Sequence, residues 1–91
     1  MIRMNNNIKD KKAVNRLRTV YLGKCKKMHP GLRLSFEHAV VVTTWRIFDR
    51  RRWILYMEQC VNGKIPRLAM DDAWDADGWQ IDAQLREYGW E

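Results

Sequence analysis

Ser35–Met70, SFEHAVVVTTWRIFDRRRWILYMEQCVNGKIPRLAM, carries two incompatible backbone patterns. In the first, Ser35 caps a helix on which Phe36, Val40, Thr43, Ile47, Ile54, Met57 and Val61 share one stripe. Gly63 then stands where a C-terminal glycine belongs, with Pro66 three residues beyond. The β-branched run Val40–Thr44 and the wholly polar turn Asp49-Arg50-Arg51-Arg52 argue against one unbroken helix. The element therefore divides near Asp49, which itself caps a second helix. In the second pattern, Asn62-Gly63 turns a hairpin that sets Val61 beside Lys64 and Met57 beside Leu68, and Pro66 confines its strand to an edge. Trp53–Met57 does not alternate in polarity as a half-buried strand would. The helical reading is the stronger. It gives a mainly α, small single domain of three to four helices, with an α+β fold turning at Asn62-Gly63 as the alternative.

Upstream, Asp10 caps a helix over Lys11–Met28, on which Ala13, Val14, Leu17, Val20, Tyr21, Leu22 and Cys25 recur at helical spacing. Lys12, Arg16, Lys24 and Lys27 form a basic ridge on its other face, and His29-Pro30-Gly31 stops it. Downstream, Asp71–Gly78 reads as an acidic loop, and Asp77 or Gly78 opens a last helix through Tyr88 that Gly89 ends. Ile81, Leu85 and Tyr88 share one side of it, and Trp79 and Arg86 another. The chain thus divides into a frayed N-terminus (1–8), a basic helical core (9–70) and an acidic, Trp-bearing segment (71–91) of the same domain.

Charge follows that division. Residues 1–70 hold 16 of the 17 Lys and Arg against four acids, a net of +12, whereas residues 71–91 hold seven acids against Arg86 alone, a net of −6. The basic part suits an anionic polymer or an acidic protein surface, and the acidic end suits a basic one. MIRMNNNIKDKK has no apolar signal region, and Ala39–Val42 and Trp53–Met57 are far short of the ~20 residues of a membrane span. A cytoplasmic protein without a membrane partner is expected. Two cysteines do not make a disulfide framework.

Chemistry-bearing patterns are few. Cys25, His29, His38 and Cys60 are four possible zinc ligands; Cys25 and His29 lie one helical turn apart, a workable pair, but the remaining spacings fit none of the common ligand pairs, and no structural zinc is expected. Asp75-Ala76-Asp77-Gly78 imitates the middle of a calcium loop whose first and last ligand positions would be Ala73 and Gln84, and both fail. Ser35 and His38, three apart at a helix start, read as capping and not as a nucleophile with its base. No catalytic residue, metal or cofactor is expected, and the chain is not expected to be an enzyme. The Ile65-Pro66 bond is trans by default.

What remains is recognition chemistry. Trp45, Arg46, Arg50, Arg51, Arg52 and Trp53 interleave guanidinium groups with indoles, suited to an acidic or DNA-lined surface. Trp74, Trp79, Tyr88 and Trp90 offer aromatic anchors within the acidic segment. Replacing Arg50, Arg51 and Arg52 together by Ala should spare the fold if the three form an exposed surface. In size, Arg/Trp richness and the lack of a catalytic motif, the chain resembles small accessory proteins of bacteriophages and mobile elements. That resemblance implies a non-catalytic modulator or inhibitor of a host nucleic-acid-processing protein complex, such as a recombination nuclease or polymerase. Direct contact with DNA is expected to be weak and sequence-indifferent. The alternative is a small DNA-binding regulator or recombination-directionality protein.

Overall fold

The computed structural model describes residues 7–28 and 35–91, the side chains of residues 25–28 excepted. Its helices are α1 (Lys11–Met28), α2 (Phe36–Phe48), α3 (Arg50–Val61), α4 (Pro66–Asp75) and α5 (Gly78–Glu87). The described residues form no strand, so the mainly α reading holds, with one helix more than expected. The stop at His29-Pro30-Gly31 and the Cys25–His29 pair lie outside the described residues.

Local chemistry sets the helix limits. Asp10 Oδ1 accepts the N–H groups of Lys12 (3.0 Å) and Ala13 (3.4 Å), and Ser35 Oγ accepts that of His38 at 3.1 Å. At Asp49 the backbone leaves helical geometry (φ −140°, ψ 72°), and its carboxylate accepts the Arg52 N–H at 3.3 Å, which starts α3. Asp77 and Gln80 form a capping box at the start of α5. Two glycines end helices in the left-handed region, Gly63 at φ 102° and Gly89 at φ 93°. After α3, the N–H groups of Gly63 and Lys64 bond the carbonyls of Cys60 (3.1 Å) and Gln59 (3.0 Å). After α5, those of Gly89 and Trp90 bond Arg86 (3.0 Å) and Leu85 (2.9 Å). Both are Schellman ends, so Asn62-Gly63 closes a helix and turns no hairpin.

Helix α4 corrects the expected acidic loop. Pro66 occupies its first turn, where a missing N–H costs nothing, and Ala69, Met70 and Ala73 are buried on one side. Asp71, Asp72 and Asp75 are exposed, so the acid run is the solvated face of an amphipathic helix. The expected division between residues 70 and 71 falls inside this helix. Ile8, expected in the frayed segment, is placed differently. Ile8 belongs to the core, and its carbonyl accepts Arg50 Nε at 3.2 Å; residues 1–6 lie outside the described residues.

Helix α3 is the centre, packing against each of the other four. Trp53, Ile54, Leu55, Tyr56 and Met57, five in succession, are all buried, which a helix achieves only when enclosed on every side. This explains why that stretch shows no single apolar stripe. Helix α1 contributes Ala13, Val14, Leu17 and Tyr21, while Val20 and Leu22, expected on the same face, are exposed. The stripe read through both halves of 36–61 is divided too. Ile54 and Met57 are buried and Val61 half-buried, but Phe36, Val40, Thr43 and Ile47 face solvent. The break at Asp49 uncouples the rotation of α2 from that of α3, so residues in one helical phase need not share a side of the molecule.

Candidate functional site

The Arg/Trp constellation separates into different roles. Trp45 and Trp53 are both buried. The Trp53 ring receives the guanidinium groups of Arg46 and Arg50, 5.9 and 5.8 Å from its centroid. Arg46 is exposed; Arg50 is half-buried and tied to the Ile8 carbonyl. Arg51 pairs with Asp82 of α5 at 2.9 Å, with both side chains about half exposed. Arg52 is structural. Its Nε donates to Asp49 Oδ2 at 2.9 Å, and its Nη1 reaches the carbonyls of Ala73, Trp74 (3.2 Å) and Ala76 (2.9 Å) at the end of α4. It therefore caps carbonyls that α4 leaves unpaired. This contradicts the expectation that replacing all three arginines would spare the fold.

The acidic segment separates similarly. Trp90 is buried and Tyr88 half-buried, so neither is an available anchor, whereas Trp74 and Trp79 are 62% and 69% exposed. Asp82 and Asp72 are tied to Arg51 and Lys64 of the basic part. Part of the charge asymmetry is thus internal pairing, each exposed pair contributing about 0–1 kcal/mol.

An apolar surface on α2 was not recognised as exposed from sequence. Helix α2 buries only His38 and Trp45. Phe36 is 86% exposed, Phe48 82% and Ile47 66%, with Val40 about half exposed between them. Phe36, Val40, Thr43 and Ile47, spaced 4-3-4, make a ridge along the helix, and Phe48 lies at its C-terminal edge. A signal was present, since Phe36–Phe48 is apolar on nearly all sides, and a 91-residue chain has little structure to cover such a helix. The ridge is bordered by two depressions. Toward α4 lies a cleft of about 220 Å³, with Val41, Met70 and Trp74 as apolar walls and Arg67 and Asp71 beside them. Toward α1 lies a groove of about 170 Å³ with Arg18 and Arg46 among its lining residues.

Beneath the ridge, His38, Tyr56 and Tyr21 form a buried polar chain. His38 Nε2 lies 2.8 Å from the Tyr56 hydroxyl, which lies 2.7 Å from that of Tyr21. Burial holds His38 below the ordinary histidine range; Arg67 pushes the same way and Asp71 opposes. Burial, reinforced by Cys60 and Tyr21, holds the Tyr56 hydroxyl far above the usual phenol range. The chain therefore joins α1, α2 and α3 as neutral hydrogen-bonding groups.

Other motifs have structural partners. The ring of His38 bonds Tyr56 while Ser35 caps α2, so each member of that pair has a packing or capping role. Asp77 caps α5, and Cys60 is a buried thiol of the core. Among the described residues, no group of three or more His, Cys, Asp or Glu is placed to hold a metal ion. No described helix is long and apolar enough to cross a membrane. Neither a family model, nor a curated protein, nor a solved structure matches the chain.

Proposed function

We propose that this protein is a non-catalytic interaction module that docks through the α2 ridge onto a host protein complex acting on nucleic acid, and modulates it. One observation carries the docking reading. Phe36, Val40, Ile47 and Phe48 are exposed on one helix, α2, whose buried residues are His38 and Trp45. Such patches mark protein-interaction sites. The net charge of +6 and the exposed Lys11, Lys12 and Arg16 on α1 favour a partner that works near an anionic polymer. The test is affinity capture from the native host after nuclease treatment, comparing wild type with Phe36→Asp/Ile47→Asp/Phe48→Asp. The expected result is loss of the captured complex with helicity retained. Full retention by the triple variant would refute docking through α2.

A second reading, a small DNA-binding regulator, draws support from the same α1 residues. Three phosphate contacts would give a log–log salt slope of about −3. Tight, sequence-specific duplex binding at physiological salt would favour this reading over the modulator.

A further inference from the structure

We infer that the groove between α1 and α2 receives the apolar anchor of an acidic amphipathic helix supplied by the partner protein. The inference rests on the docking reading above and adds the chemistry of the occupant. Trp53 and Met57 close the floor of the groove, and Leu22 and Val42 line its sides. Tyr21, His38, Ala39 and Thr43 also line it; Arg18 and Arg46 add two positive charges, and no Asp or Glu is among the lining residues. Arg46 is held over the Trp53 ring, which fixes its charge beside the apolar floor. An apolar side chain flanked by carboxylates satisfies both features: its body enters the groove and its acids meet Arg18 and Arg46.

A helix is the form that fits beside this groove. The 4-3-4 row of Phe36, Val40, Thr43 and Ile47 is a ridge into which the side chains of a facing helix can interdigitate. Exposure of this row gives the incoming helix an apolar track, and the groove gives it a terminus of specificity. A second copy of this chain is the poorer occupant. In a two-fold contact the same patch meets itself, so Arg18 and Arg46 of each copy would face the like-charged pair of the other.

The test uses the full chain and two synthetic helical peptides with identical Leu and Trp anchors. One has Glu along a flank, and the other has Lys at the same positions. Binding is followed by titration calorimetry. The acidic peptide should bind at least about tenfold more tightly, with the preference shrinking as salt rises. Arg46→Glu should remove most of the preference, and Arg18→Glu with Arg46→Glu should reverse it. Ala39→Trp, at an exposed position lining the groove, should abolish binding without loss of helicity. Equal affinity for the two peptides, or no binding of the acidic one at millimolar concentration, would overturn the inference. So would a wild-type dimer in sedimentation that Ala39→Trp dissociates, because the occupant would then be a second copy. If the peptides fail while the triple α2 variant still loses the captured complex, docking stands and only the acidic helix is lost. Retention of the complex by that variant would instead remove the docking reading.

Discussion

Helices α2 and α3 adjoin at Asp49, yet the more apolar of the two is the one left outside. Helix α2 buries two of its thirteen residues, whereas α3, which opens with three arginines, buries seven of twelve. Burial here follows position among the other helices. Among the described residues, α3 packs against all four other helices, while α2 packs mainly on α3 and less on α4. Helix α2 gives the core His38 and Trp45 and leaves Phe36, Ile47 and Phe48 exposed, and the functional proposal rests on that exposed side.

The contrast breaks most directly through stability. Leu55→Ala, in the fully buried run of α3, should cost about 2–5 kcal/mol in a denaturant melt. In a domain of this size that is a large part of the total stability. A loss under about 1 kcal/mol would mean that α3 is not the enclosed element described here.

Arginine substitutions sharpen it within one turn of α3. Arg52→Ala leaves the carbonyls of Ala73, Trp74 and Ala76 without their donor and should cost about 1–3 kcal/mol. Arg51→Ala loses only a half-exposed pair with Asp82 and should cost less than about 1 kcal/mol. Equal melts for the two variants would refute the distinction between clamp and surface side chain.

Acid should loosen the attachment of α2 in particular. His38 is held neutral in the fold, so below its ordinary value of about 6.5 the unfolded chain binds the proton more readily than the folded one. Stability is therefore full at higher pH and falls as pH drops through that value toward the lower folded one. Charged His38 would face the Tyr56 and Tyr21 hydroxyls from α3 and α1, Arg67 and Asp71 from α4, and Glu37 on its own helix. Melts between neutral and mildly acidic pH should show the decline, and His38→Gln should flatten it. An equally steep decline in that variant would assign the effect to other groups.

The smallest stability effect belongs to the ridge. Phe36→Ala and Phe48→Ala should each change stability by less than about 0.5 kcal/mol, since little contact is lost. The same changes should weaken partner capture. A stability loss comparable to that of Leu55→Ala would show that these rings pack within the fold.

Much of the architecture was legible because its signals are local. Asp10, Ser35, Asp49 and Asp77 are short-range caps, and Gly63 and Gly89 are short-range terminators, so α1, the α2–α3 break and α5 stand where expected. Helix α4 was missed because Asp71, Asp72 and Asp75 were weighed as loop residues, although Pro66 at a first turn and the Ala69, Met70 and Ala73 face were both present. The site was less legible than the fold. Periodicity identifies residues that share a helix face, but the covering of that face depends on contacts distant in sequence. Phe36 and Ile47 therefore shared one stripe with Ile54 and Met57, although the first two are exposed and the last two buried. Arg52 escaped for the same reason, its carbonyl partners lying 21 to 24 residues away.

The radial packing around α3 also constrains the order of events during synthesis. Helix α1 emerges from the ribosome before the other four helices, but its principal packing partner is α3, which follows more than twenty residues later. Until that hub is available, the apolar side of α1 and the underside of α2 have no lasting cover. Stable structure should therefore arise late and in one step, once α3 and the helices that follow it are released.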